Sequence, residues 1–189
     1  KEDQATQKDL FGNIIASPMY KKSPENAAQS ELFPHEIVQL KTIQEVEHRY
    51  SLIETSEQRA TLIAALQQHA VSNPEICFDT ETTGLDANTC ELVGLSFAIK
   101  HHEGWYIPLS AKQEECLSVL SEFEVLFDRE DLVWIGQNTK YDLLVLKNYG
   151  IEVKGRLFDT MLAHYCFEPE GKRSMDLLSE TYLQYRPVS

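Results

Sequence analysis

The chain has 189 residues, with 17 Lys+Arg against 30 Asp+Glu, and its formal net charge at pH 7 is −13. This length suits one domain with a real hydrophobic core, and 42% hydrophobic residues is typical of soluble globular proteins. No run approaches the roughly 20 apolar residues of a membrane span, so we expect no membrane association. A surface this acidic argues against a broad basic face that grips duplex DNA, but it is compatible with carboxylates that hold metal ions.

The chain divides into an irregular beginning and a regular remainder. Residues 1–40 contain three prolines and no sustained hydrophobic periodicity, so we expect a flexible tail or linker there. Residues 41–189 are expected to form the folded domain. The four cysteines are widely separated and make no Cys-x-x-Cys pair, which argues against a zinc site or a disulfide framework and predicts a reducing, cytoplasmic location.

Hydrophobic periodicity predicts strands and helices in a definite order from residue 50 onward. The expected strands are 50–53, 76–78, 92–99, 105–109 and 132–135. The first expected helix is capped by Ser56 and stopped by Pro74. The later expected helices are 113–127, 139–148, 159–166 and 174–184. Strands followed by alternating strand–helix units predict an α/β fold in which a mixed sheet is flanked by helices.

Asp79 and Glu81 follow a compact apolar run that is typical of a buried strand. Side chains two residues apart on a strand point to the same face, so the two carboxylates are expected to project together. Neighbouring carboxylates repel each other unless a cation, a proton or a basic group compensates. Because Gly84 supplies a turn that would expose the pair, we interpret Asp79 and Glu81 as part of a site rather than as a solvated strand end.

Asn138 and Asp142 come just after a later buried strand, at the start of a predicted helix. Asn138 is suited to cap that helix, and Asp142 lies one turn further along on the same face. Taken alone, the pair fits a cap plus a first-turn acid that the helix dipole favours. Together with Asp79 and Glu81, it places three carboxylates at one sheet edge, which predicts a site for hard divalent cations such as Mg²⁺ or Mn²⁺.

Two segments resemble the first two motifs of the DnaQ-like (DEDD) 3′–5′ exonucleases, namely Phe78-Asp79-Thr80-Glu81 and Gly136-Gln137-Asn138-Thr139-Lys140-Tyr141-Asp142. The pattern is most similar to the proofreading domain of bacterial family A DNA polymerase I, and it covers roughly residues 41–189. The resemblance implies an RNase H-like fold. It also implies a polymerase domain downstream and a 5′-nuclease domain upstream in the full-length protein.

The resemblance further implies two-metal hydrolysis of the 3′-terminal phosphodiester of single-stranded or frayed DNA. Asp79 would contact both divalent cations, Mg²⁺ or Mn²⁺, while Glu81 would help to hold the first and Asp142 the second. The residues that would bind the DNA 3′ end are Thr82 and Leu85, around the terminal base, and Asn138 and Tyr141, near the 3′ terminus. Recognition of a particular base sequence is not indicated.

The third motif of the family, Tyr-x-x-x-Asp or His-x-x-x-x-Asp, does not occur in this sequence. No Tyr is followed by Asp four residues on, and no His is followed by Asp five residues on. Asp159 and Asp176 occupy helix-start or helix positions, where local capping is the expected role. We therefore interpret the chain as an exonuclease domain truncated at the C-terminus, inactive or impaired by itself, with at most partial metal occupancy.

Three other interpretations stay open. Asp-x-Glu-x-Thr resembles the Asp-x-Asp-x-Thr signature of haloacid-dehalogenase-type phosphatases, although a Glu at the second position argues against it. An RNase D-like RNA exonuclease has the same type of motif. A vestigial, non-catalytic structural domain of a DNA polymerase is the third alternative, which retention of Asp79, Glu81 and Asp142 disfavours.

Overall fold

The structure is a computed structural model that describes residues 39–188. Its elements are β1 (Arg49–Leu52), α1 (Ser56–His69), β2 (Glu75–Thr82), β3 (Leu92–Ala98), β4 (Glu103–Pro108), α2 (Gln113–Phe127), β5 (Val133–Gly136), α3 (Thr139–Asn148), β6 (Arg156–Asp159), α4 (Thr160–Phe167), α5 (Met175–Leu178) and a π-helical turn (Ser179–Leu183). The flexible tail expected at residues 1–40 falls almost wholly outside the described residues and stays a prediction. Within the described range, no helix is both long and apolar enough to cross a membrane.

The strands form one six-stranded sheet in the order β1-β4-β3-β2-β5-β6. β3 runs antiparallel to both β2 and β4, while the β1–β4, β2–β5 and β5–β6 pairs are parallel. The prediction of a mixed sheet flanked by helices is therefore confirmed. Because β2, β5 and β6 run in the same direction, their carboxyl ends meet at one edge of the sheet, where α3 and α4 also begin.

The core lies on the face of the sheet that α1 and α2 cover. Aromatic rings dominate it: Phe78 and Trp134 meet edge to face with ring centroids 5.4 Å apart, and Phe127 lies 5.2 Å from Trp134. Phe97 stacks on Phe123 of α2 at 5.4 Å. Large rings bury much apolar area per residue, so this cluster fixes β2 and β5 against the helices and thereby fixes the sheet edge where they end.

Replacing Trp134 by Ala is expected to lower the free energy of unfolding by about 3–5 kcal/mol, because it leaves a large cavity in this cluster. Trp134 is 0% exposed, and its Nε1 donates to the carbonyl oxygen of Lys154 at 2.8 Å. Denaturant unfolding followed by circular dichroism measures the loss. Val71→Ala, at a side chain that is 79% exposed, serves as the control and should change stability by no more than about 0.5 kcal/mol. Equal midpoints for the two variants would contradict the position of Trp134 in the core.

β6 was missed by the sequence prediction, which began a helix at residue 159 and assigned no strand before it. The strand has only four residues, and Leu157 and Phe158 are each about half exposed, so it lacks the apolar run of a central strand. It forms at the sheet edge because its backbone pairs with β5, from Val133 with Arg156 to Gly136 with Asp159. A strand that forms mainly by pairing with a distant segment is difficult to predict from its local composition.

Two helix boundaries also differ from the prediction. Thr55, not Ser56, caps α1: its hydroxyl accepts from the backbone N–H of Gln58, and Oε1 of Gln58 accepts from the backbone N–H of Thr55. The helix expected at 174–184 is a four-residue α-helix followed by the π-helical turn, and Gln184 ends it in a left-handed conformation. There Lys41 and Tyr185 form a parallel bridge between the two ends of the described chain.

Candidate active site

β2 presents two chemically different faces at the sheet edge. Ile76, Phe78 and Thr80 are buried on the core side, whereas Asp79 is half-buried and Glu81 exposed on the other side. The strand runs on to Thr82, four residues beyond the predicted end, because Thr80 continues the buried alternation between the acidic positions. The two carboxylates therefore belong to the strand itself and are held by the sheet rather than by a loop.

Asp79 has an unusually high pKa of about 7. Burial is the largest cause, since a half-buried carboxylate loses hydration, and the negative charges of Asp142 and Glu81 raise the pKa further. In the described residues, no Lys or Arg forms an ion pair with any of these three carboxylates. The site thus concentrates negative charge without compensation.

Asp142 lies on the first turn of α3 and is only 2% exposed. Its Oδ1 accepts two hydrogen bonds from one residue of β2, the backbone N–H of Thr80 at 3.0 Å and the Thr80 hydroxyl at 2.6 Å. Burial raises the pKa of Asp142, and the hydrogen bonds from Thr80 oppose that rise. The second motif is thereby attached to the first through a single threonine.

Asn138 does not cap α3 with its side chain, so that part of the sequence prediction is wrong. The residue adopts a left-handed conformation, with φ 62° and ψ 43°, and its side chain makes no capping hydrogen bond. The first N–H groups of α3 are instead met by Asp159 at the end of β6, whose Oδ2 accepts from the Thr139 backbone at 2.8 Å. Asp159 also caps α4 locally by accepting from Met161 and Leu162, as its helix-start position indicated.

The loop after β2 is braced by Tyr141. Its hydroxyl lies 2.5 Å from the carbonyl oxygen of Gly84, to which it donates, and 2.6 Å from the Thr82 hydroxyl. The Thr82 hydroxyl also donates to Gly84, at 2.9 Å. Leu85, the next residue, is 97% exposed, so it is not an ordinary packed turn residue. Tyr141 and Thr82 thus hold a loop that presents one apolar side chain to solvent.

The structure brings the predicted residues to one end of the sheet without forming a compact metal cage. Across residues 39–188, no three His, Cys, Asp or Glu side chains are grouped closely enough to hold a metal ion. Carboxylates repel one another unless a cation compensates their charge, and Oδ1 of Asp142 accepts from Thr80. The donor set still fits a hard cation, because it consists of uncompensated carboxylate oxygens.

Replacing Asp79 by Asn is expected to stabilise the metal-free protein much more at pH 8 than at pH 4.5. The folded-state pKa of about 7 lies above the ordinary value of 3.8, so the folded chain holds more protons than the unfolded chain between these values. The stability that this proton contributes is complete below about pH 4 and is lost as the pH rises through 7.

Thermal unfolding in EDTA at both pH values measures the effect of Asp79→Asn. Asp176→Asn, at an exposed acid of α5, is the matched control and should shift the melting temperature little at either pH. An equal shift for Asp79→Asn at pH 4.5 and pH 8 would show that the carboxylate carries no unusual pKa.

Comparison with known proteins agrees with this arrangement. A family model described as 3′–5′ exonuclease, of family A DNA polymerases, matches residues 50–188. DNA polymerase I of Borreliella burgdorferi is 35% identical over 176 residues, which cover 89% of this chain and 19% of that protein. DNA polymerase I of Pseudomonas aeruginosa is 36% identical over 122 residues, 60% of this chain and 13% of that protein. The chain thus spans about a fifth or less of the length of these relatives.

Solved structures share the fold at low sequence identity. NrnC of Brucella melitensis superposes with a TM-score of 0.55 at 16% identity, covering 76% of this chain and 64% of that chain, and one of its structures contains bound Mg²⁺. RNase D of Trypanosoma brucei gives 0.60 at 11% identity, covering 76% and 50%. These likenesses confirm the expected RNase H-like fold of the DnaQ-like exonucleases. With the family match over most of its length, the chain belongs to the 3′–5′ exonuclease domains of family A DNA polymerases.

Proposed function

We propose that this chain is a proofreading domain, which hydrolyses the 3′-terminal phosphodiester of single-stranded or frayed DNA. The observation that carries the proposal is the uncompensated carboxylate cluster at the carboxyl end of β2, in which the charges of Asp142 and Glu81 help to raise the pKa of Asp79 to about 7. Such a cluster is poised to exchange protons for divalent cations at neutral pH.

Asp79, Glu81 and Asp142 would hold two divalent cations, Mg²⁺ or Mn²⁺. Bound there, the cations would supply an attacking water of lowered pKa and would stabilise charge on the entering and leaving oxygens. Asp79 would be ionised in that state, because a proton and a cation compete for the same carboxylate. Thr80 occupies one oxygen of Asp142, which leaves the second oxygen of that carboxylate for a cation or its water.

The loop after β2 supports a role in holding the 3′-terminal nucleotide. Leu85 offers an exposed apolar surface for a base, and the backbone beside Thr82 is fixed by the hydroxyl of Tyr141. In this proposal Tyr141 acts by bracing the loop, and Asn138 lies at the left-handed turn where α3 begins. We propose that these residues contact DNA because they lie around the carboxylate cluster.

Leu85→Ala is expected to weaken binding of a short single-stranded DNA about 5–30-fold, since stacking and apolar contacts to one base are worth ~1–2 kcal/mol. Stability should change by no more than about 0.5 kcal/mol, because the side chain is 97% exposed. Fluorescence anisotropy in Ca²⁺ measures the affinity. Val71→Ala, at an exposed residue just after α1, is the control. Equal affinities for the two variants would remove Leu85 from the proposed DNA site.

The relatives also indicate which other domains this domain is joined to. The relatives that match are DNA polymerases I several times longer than this chain, so we propose that the domain is covalently joined to a polymerase domain downstream and a 5′-nuclease domain upstream. All four cysteines are free, which is compatible with the proposed cytoplasmic location.

The test compares DNA with RNA of the same base sequence. Oligonucleotides labelled at the 5′ end are incubated with excess protein and Mn²⁺, and shortening from the 3′ end is followed over hours. The proposal predicts slow, stepwise shortening that is faster for DNA than for RNA and that Asp79→Ala removes. Faster shortening of RNA would favour an RNase D-like enzyme. Intact substrates combined with no Mn²⁺ binding would indicate a non-catalytic structural domain.

A further inference from the structure

Asp159 joins two helix starts that lie side by side at the sheet edge. β5 and β6 are parallel, and their pairing places Asp159 opposite Gly136, where both strands end. Oδ1 of Asp159 accepts from the backbone N–H of Asn138 at 3.2 Å, of Met161 at 2.9 Å and of Leu162 at 3.1 Å. Oδ2 accepts from the Thr139 backbone at 2.8 Å and from its hydroxyl at 3.0 Å. One carboxylate thus takes five hydrogen bonds from two helices.

The start of α3 depends on this carboxylate because it has no side-chain cap of its own. Asn138 occupies the cap position in a left-handed conformation and makes no side-chain capping bond. The first N–H groups of a helix have no partner inside the helix, so a missing cap leaves them for another acceptor. α1, by contrast, is capped by Thr55 from its own sequence. The hydrogen bonds to Asp159 lower its pKa although burial opposes this, so the acceptor is a carboxylate at neutral pH.

The contact chain continues from this cap to β2. Thr139 is 4% exposed and begins the turn of α3 that carries Asp142. Asp142 in turn accepts hydrogen bonds from the backbone N–H and the hydroxyl of Thr80. The N–H of Thr80 lies beyond the last paired residues of β2 and β5, Cys77 with Ile135, so the Asp142 side chain takes the place of a strand neighbour there.

We propose that Asp159 is a positioning residue for Asp142. By fixing Asn138 and Thr139 from β6, it sets where the first turn of α3 meets β2 and hence where the Asp142 carboxylate stands. Asp159 itself would touch neither cation nor DNA. The consequence for catalysis rests on the proposed function, whereas the mechanical link from Asp159 to Thr80 is a property of the fold.

The experiment measures amide hydrogen exchange by NMR in the 189-residue chain, without metal. In Asp159→Asn, the amide side chain keeps the size of the carboxylate but presents a donor to one of the two helix starts. We expect the Thr80 amide to exchange about 10-fold faster, relative to the Leu120 amide of α2, which reports general destabilisation. Thr139→Val loses only the hydrogen bond from its hydroxyl to Asp159, so it should also speed exchange of the Thr80 amide, but by a smaller factor. Asp176→Asn is the matched control for the loss of one acid.

Each outcome decides the inference. Faster exchange at Thr80 in both variants supports the positioning role, because Thr80 lies on another strand and is hydrogen-bonded to Asp142 rather than to Asp159. Faster exchange confined to Met161 and Leu162 would show that Asp159 only caps α4 and would overturn it. Mn²⁺ affinity, measured by calorimetry, should fall about 10-fold in Asp159→Asn. If the unaltered chain binds no Mn²⁺, the proposed function fails, and the exchange at Thr80 still decides the role of Asp159.

Discussion

Single-stranded DNA incubated with the 189-residue chain and Mg²⁺ or Mn²⁺ is expected to lose 3′ nucleotides about 10²–10³-fold more slowly than with a longer form of the protein that adds Tyr-x-x-x-Asp. Within this sequence, no Tyr or His is followed by Asp at the spacing of the family's third motif. In the proposed function, Asp79, Glu81 and Asp142 would supply three carboxylates, and the third motif would add a fourth together with the Tyr or His that orients the attacking water. Initial rates on 5′-labelled oligonucleotides measure the difference.

The control for this comparison is Asp79→Ala in the longer form, which should lower its rate at least to that of the 189-residue chain. That result would place the gained activity at the same carboxylate cluster. Robust DNA degradation by the 189-residue chain itself, abolished by Asp79→Ala, would show that three carboxylates suffice and would contradict the expectation.

Asp79→Asn is expected to weaken Mn²⁺ binding by at least about 10–100-fold, the loss typical of disturbing a metal's protein partners. The negative charges of Asp142 and Glu81 both act on Asp79. An amide at this position would therefore remove a proposed ligand and also lower the negative potential of the site. Titration calorimetry at pH 8 measures the affinity. In the unaltered chain, the affinity should fall roughly tenfold per unit as the pH drops below 7, because the cation then competes with a proton.

Glu75→Gln provides the matched control, since Glu75 is an exposed acid at the start of the same strand. It removes one negative charge from β2 at the end opposite to the cluster and should leave Mn²⁺ affinity nearly unchanged. Equal losses for Asp79→Asn and Glu75→Gln would mean that Mn²⁺ responds only to net charge and that Asp79 does not hold it.

The mixed sheet could be predicted from the sequence because its central strands are strongly apolar. Helix 113–127 was predicted to the residue, since most of its apolar positions recur at helical spacing and are buried, namely Cys116, Leu120, Phe123, Leu126 and Phe127. The strand that carries Asp79 and Glu81 is likewise predicted, although its predicted end at residue 78 falls four residues short of Thr82. A local hydrophobic pattern is enough to predict an element whose own apolar residues form the core.

The contacts that organise the site could not be predicted in the same way. Asp159 was recognised as a helix start, but its bonds to Asn138 and Thr139 depend on the pairing of β6 with β5, which no local pattern records. Asn138 has a side chain suited to capping, and its left-handed backbone prevents that use. The role of Tyr141 near the DNA 3′ end stays a prediction, whereas the hydrogen bond from its hydroxyl to the carbonyl oxygen of Gly84 joins residues 57 apart and could not be read from local sequence.

The most direct test of the central claim, that Asp79, Glu81 and Asp142 together hold the catalytic cations, is anomalous scattering from crystals of the chain grown with saturating Mn²⁺. We predict at least one peak, of partial occupancy, within roughly 2.0–2.3 Å of a carboxylate oxygen of Asp79, with Glu81 or Asp142 as a second protein ligand. Peaks elsewhere on the surface, with none at Asp79, would contradict the claim.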